Sequence, residues 1–167
     1  SFLPFWSPDS QSLGFFVDRR LKRIDLASGV VRTLADLPGA SGRGGTWNSA
    51  GTIVFAPSSD GSPLYRVSAD GGEASPVTRL EAGHRTHRYP QFLPDGHHFI
   101  FFARTTDGQG IYLGSIDSFE TRRVLDSDGS VVFAPPDYVL FGRNGALLAQ
   151  RFDLKEMTPR GNPIPVA

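Results

Sequence analysis

The chain has 167 residues, 39% of them hydrophobic and thirteen of them Phe, enough to bury the core of one ordinary domain. Lys+Arg 17 balances Asp+Glu 17 for a net charge of +0, so the basic excess of a nucleic-acid binder, or of a protein drawn to anionic membranes, is missing. There is no cysteine, which excludes disulfides and thiolate metal ligands, and no run approaches the ~18 apolar residues of a membrane-spanning helix.

Taken in chain order, the first unit opens with a short strand at Leu3–Ser7 and turns at Pro8-Asp9-Ser10. Strands follow at Leu13–Val17 and Leu21–Leu26, then a turn at Ala27-Ser28-Gly29 and a fourth strand at Val30–Leu34. The second unit has Thr46-Trp47-Asn48 before Ile53-Val54-Phe55, a third strand at Leu64–Ala69, an Asp70-Gly71-Gly72 hairpin signal and a fourth strand at Pro76-Val77-Thr78. The third unit runs through Gln91-Phe92-Leu93-Pro94-Asp95-Gly96, Phe99-Ile100-Phe101, Ile111–Ile116 and Arg122–Leu125. The fourth runs through Val132-Phe133-Ala134-Pro135, Val139-Leu140-Phe141, Ala149–Leu154 and Pro163–Val166, whose two prolines suit an outer edge.

The leading aromatics Trp6, Trp47, Phe92 and Phe133 stand 41, 45 and 41 residues apart. A period in the forties with four short strands per unit is the mark of β-propeller blades. The expected fold class is therefore all-β, a β-propeller of four consecutive four-stranded blades over about 1–38, 39–83, 84–127 and 128–167, and part of a larger ring of six or more. Neither a signal peptide nor an initiator Met opens the chain, and its ends fall close to repeat boundaries, as in a piece of a longer protein. Trp6, Trp47 and Phe92 are expected to wedge between blades, each costing roughly 3–5 kcal/mol on replacement by Ala.

These residues carry a resemblance. Trp6-Ser7-Pro8-Asp9 with Leu13-Gly14-Phe15, and Phe92-Leu93-Pro94-Asp95-Gly96 with Phe99-Ile100-Phe101, resemble the W-S-P-D-G-x-x-I-A-F repeat of TolB-like, WD-repeat-like propellers. Ser41–Asn48, Pro63–Ser68, Pro90–Gly96 and Phe133–Pro136 also look like the propeller that follows the kinase domain in bacterial membrane-bound serine/threonine kinases. That likeness implies a sensing or docking module on the periplasmic or extracytoplasmic side of a bacterial signalling protein. No Gly-rich phosphate loop on a strand, His-Arg-Asp or Asp-Phe-Gly is present, so kinase activity falls on no residue of this chain.

Candidate chemistry is sparse. His84, His87, His97 and His98 cluster in sequence, but His97 and His98 point to opposite faces of a strand start, and His84 and His87 read as solvated loop residues. Asp126-Ser127-Asp128-Gly129 starts like a calcium loop yet lacks the further oxygen ligands and the distal Glu, so it reads as a turn. Asp9 and Asp95 would be the obvious acids for a carboxylate pair, but they sit where a turn favours Asp for its own backbone hydrogen bonds. Gly39–Gly45 could cradle an anion with backbone N–H groups, but no helix follows. No Gly-x-Ser-x-Gly elbow occurs. The expectation is a segment without catalytic residues, metal or cofactor. It binds a protein or small molecule at the rim of the propeller axis through Arg43, Trp47, His87, Arg88 and Tyr89, touches neither nucleic acid nor membrane, and self-associates through its end blades. The alternatives are the gating propeller of a serine peptidase and a stand-alone periplasmic TolB-like propeller.

Overall fold

The computed structural model describes residues 3–39, 42–58 and 60–166. They form sixteen strands in four antiparallel sheets, each taking its strands in chain order. The first sheet holds β1 (Phe5–Trp6), β2 (Ser12–Val17), β3 (Arg20–Asp25) and β4 (Val31–Asp36). The second holds β5 (Gly45–Trp47), β6 (Thr52–Phe55), β7 (Tyr65–Ser68) and β8 (Ser75–Pro76). The third holds β9 (His84–Phe92), β10 (His98–Thr105), β11 (Gly108–Ser115) and β12 (Ser118–Asp126), and the fourth β13 (Val131–Ala134), β14 (Tyr138–Arg143), β15 (Ala146–Asp153) and β16 (Thr158–Pro165). Four meandering sheets stacked face to face are four propeller blades, as the repeat predicts. Among the described residues they form an open arc, with no closing interface between the fourth blade and the first.

Side-chain alternation along a strand explains why the blades stack. On β6, Ile53 and Phe55 point back into a core shared with Phe5, Phe16, Leu21 and Leu34 of the first blade, while Val54 points forward into a core with Phe99, Phe101 and Tyr112 of the third. On β10 the split repeats: Phe99 and Phe101 face back, and Ile100 and Phe102 face forward onto Phe133, Val139 and Phe141. A strand buried on both faces reads as an unbroken apolar run, which is why Phe99-Ile100-Phe101-Phe102 carries no polar alternation.

The turns bear out their chemistry. Asp9 Oδ1 accepts from the Gln11 backbone N–H at 3.0 Å, and Asp95 Oδ1 accepts from the His97 and His98 backbone N–H groups at 3.0 and 2.9 Å. Asp128 Oδ2 accepts from the Asn144 N–H at 2.6 Å, and Asp126 pairs with Arg123 at 2.8 Å. Two expectations need correction. His84 and His87 lie in a nine-residue strand rather than a loop, because β10 is long enough to pair with residues well before Phe92. Trp6 is 57% exposed, so it wedges between no two blades. Its neighbour Phe5 takes the buried position, packing on Gly45, where any Cβ would sit 2.4 Å from the ring.

Candidate functional site

The innermost strands β1, β5, β9 and β13 line an axial groove. At one end Trp6, Trp47, Tyr89, Gln91 and Val132 bound a cleft of about 420 Å³. At the other, Asn48, Pro94 and Pro135 bound one of about 370 Å³, and Thr46, Trp47 and Gln91 line both. Backbone–side-chain latches hold the inner strands in register across the groove. The Phe92 N–H donates to Thr46 Oγ1 at 3.0 Å, and the Phe133 N–H donates to Gln91 Oε1 at 2.7 Å. The residue just before one blade's leading aromatic thus anchors the leading aromatic of the next. Asn48 adds a third tie, donating from Nδ2 to the Gly96 carbonyl at 2.7 Å.

The rim residues predicted from sequence divide. Trp47 and Tyr89 line the groove. The Arg23 guanidinium lies 5.4 Å from the Trp47 ring centroid, on the first-blade side. Tyr89 has a left-handed backbone (φ 53°), and its N–H donates to the Arg43 carbonyl at 2.9 Å. Arg43 is half-buried with its Nε enclosed and unpartnered, and Arg88 is a half-buried strand residue opposite Phe102. Neither lines the cleft. The anion-cradle reading of Gly39–Gly45 includes Ala40 and Ser41, which lie outside the described residues.

His87 leaves the rim altogether. It is 0% exposed, enclosed between the end of the second blade and the third. Its Nδ1 is 2.8 Å from Thr78 Oγ1 and its Nε2 is 2.8 Å from His84 Nδ1. The Leu64 N–H donates to the same Thr78 oxygen at 2.9 Å. A chain in which Thr78 O–H donates to His87 Nδ1 and His87 Nε2–H donates to His84 Nδ1 satisfies both ring nitrogens of His87. The Phe101 ring lies tilted with its centroid 4.7 Å from that of His87, and Tyr112 meets His84 edge-on at 5.0 Å. Burial, then the neighbouring His84, pushes the His87 pKa down to about 3, and burial lowers that of His84 as well. The pair is a neutral structural clamp. Sequence reasoning missed it because its partners Thr78, Tyr112 and Phe101 come from two blades; the short His84–His87 spacing was the one visible sign. Among the described residues no three His, Asp or Glu side chains converge as metal ligands would.

No protein-family profile and no curated protein matches the chain. Solved structures do. Regucalcin from Agrobacterium tumefaciens, described as a calcium-binding protein, is 19% identical with a TM-score of 0.70 over 98% of this chain and 58% of its own. TolB from Acinetobacter baumannii is 18% identical with a TM-score of 0.70 over 99% and 43%. An auxiliary nutrient binding protein from Bacteroides thetaiotaomicron is 13% identical with a TM-score of 0.72 over 100% and 42%. The chain thus spans about half the length of the structures it resembles. At these identities the likeness is one of fold, and the fold is that of a β-propeller.

Proposed function

We propose that this chain is a binding module, not a catalyst, and that it holds an apolar or aromatic segment of a partner protein in the axial groove. The observation that carries the reading is the convergence of Trp6, Trp47 and Tyr89 on one cleft of about 420 Å³. Aromatic side chains supply large contact area at low entropic cost and dominate binding energetics. The groove is open along its length, which suits an extended segment better than an enclosed small molecule. Its polar groups, Thr46 and Gln91, are engaged by backbone N–H groups, so the recognition surface is the ring faces. The setting that fits the sequence resemblance is the extracytoplasmic propeller of a bacterial serine/threonine-kinase-type signalling protein, whose ligand state the module would pass to an attached effector.

The test is selection of a displayed peptide library on the purified chain, followed by titration of a selected peptide against Tyr89→Ala and Trp47→Phe variants. The groove reading expects at least about a tenfold loss of affinity for Tyr89→Ala, the effect of an aromatic anchor, measured where circular dichroism shows the variant still folded, because Tyr89 also packs against the core between the third and fourth blades. Peptides that bind both variants as they bind the parent chain would overturn it.

A further inference from the structure

The middle of the axial groove is walled by β5 and β9, whose sheets each have a blade on both sides. Stacked blades meet the faces of these sheets, not the inner edges that border the groove. Charged residues make up 20% of the chain, yet no charged side chain lines either cleft. A charged group of a ligand seated there would give up water and gain no ion partner. In charge, the wall matches an uncharged segment.

Hydrogen-bonding capacity along the wall is one-sided as well. Its side-chain amide and threonine oxygens are engaged: Thr46 Oγ1 and Gln91 Oε1 take the latch N–H groups, and Asn48 Oδ1 accepts from the Thr52 N–H at 2.8 Å. The edge of β9 is closed to a further strand. The N–H groups of Tyr89 and Phe92 are already donated, and Pro90 has none. Strand addition, which draws its affinity from main-chain hydrogen bonds, therefore has no donors to use there. Two side-chain donors remain. The Trp47 indole N–H and the Tyr89 hydroxyl make no hydrogen bond among the described residues, and neither is buried.

Resting on the groove reading above, we propose that the segment held there is rich in proline, uncharged, and lies along the groove as a polyproline II helix. Proline carries a carbonyl and no N–H. Such a segment brings acceptors to the donors of Trp47 and Tyr89 and no donor that the wall would leave unpaired. A polyproline II helix has no internal hydrogen bonds, so its carbonyls are free to accept. Aromatic-lined grooves hold it through ring faces, and its preformed shape lowers the ordering cost of binding. A strand-forming peptide would bury N–H groups without partners in the same place, and a neutral glycan would do so with its hydroxyl donors.

Fluorescence-anisotropy titration of the purified chain with labelled peptides of equal length tests this. The peptides are an oligoproline of about three helical turns, the same peptide with Lys at alternate positions, and an uncharged, Thr-rich strand-forming peptide. The oligoproline should bind at least about tenfold more tightly than either of the others. Tyr89→Phe and Trp47→Phe each keep a ring and remove one donor. Each should weaken the oligoproline about fivefold, the loss of one neutral hydrogen bond, with the circular dichroism spectrum unchanged. Equal binding of the strand-forming peptide, displacement of the oligoproline by a neutral β-glucan oligosaccharide, or an oligoproline affinity unmoved in both variants would each overturn the proposal. Display-selected peptides that need Trp47 and Tyr89 but contain no proline would overturn it while leaving the groove reading in place. Failure of every peptide to bind would defeat both.

Discussion

Acid should loosen the seam between the second and third blades through His87, with His84, whose pKa burial also lowers, acting in the same direction. In the folded chain its imidazole is sealed among Thr78, His84 and Phe101, and burial holds its pKa near 3. In the unfolded chain it titrates at its ordinary value of about 6.5. Above that pH neither state binds the proton, and the group contributes no pH dependence. Below it the unfolded chain takes up a proton that the folded chain refuses, so stability falls as pH falls from about 6.5 toward 3. At about pH 5 the loss is about 2 kcal/mol, or about 4–8 °C in melting temperature for a chain of this size. The carboxylates held low by turn hydrogen bonds, such as Asp9 and Asp95, begin to act only below about pH 4. The assay is thermal unfolding by circular dichroism from about pH 7.5 to about pH 5, at one fixed protein concentration, on the parent chain and on His87→Gln. Glutamine keeps a polar group in the site and removes the titration. The parent should lose several degrees more than the variant over this range. Parallel curves would refute the assignment of the pH dependence to His87.

Burial sets the next contrast. Phe101 is 0% exposed and Trp6 57%, so Phe101→Ala should cost roughly 3–5 kcal/mol in denaturant unfolding. Trp6→Ala should cost under about 1 kcal/mol, the reverse of a ranking by side-chain size. Gly45 admits no side chain without displacing the Phe5 ring. Gly45→Ala should therefore destabilise the chain by about 1–3 kcal/mol, and Gly51→Ala, whose Cβ would meet nothing within 4 Å, should be felt only through its positive φ.

Four blades were legible because their cause is local and repeated. A leading aromatic and a strand without polar alternation recur every 41 to 45 residues, the first and third units add a turn whose Asp caps its own backbone, and each unit must bury both faces of one sheet. Phe99-Ile100-Phe101-Phe102 announces two-sided burial by itself, since no one-faced strand carries four consecutive apolar residues. The groove was half legible. Trp47 is a leading aromatic and Tyr89 stands three residues before another, so their place on the axis follows from the repeat. What tertiary structure alone decided is which neighbour each side chain meets. Trp6 and Phe5 are adjacent large aromatics, and among the described residues only Phe5 has a neighbouring blade to face, so it is buried and Trp6 is exposed. His87 looked like a rim residue until the longer pairing of β9 with β10 drew it inside, against a threonine from another blade. Periodicity depends on residues close in sequence and can be read along the chain. Burial and pKa depend on atoms brought together from distant segments, and no window of sequence contains them.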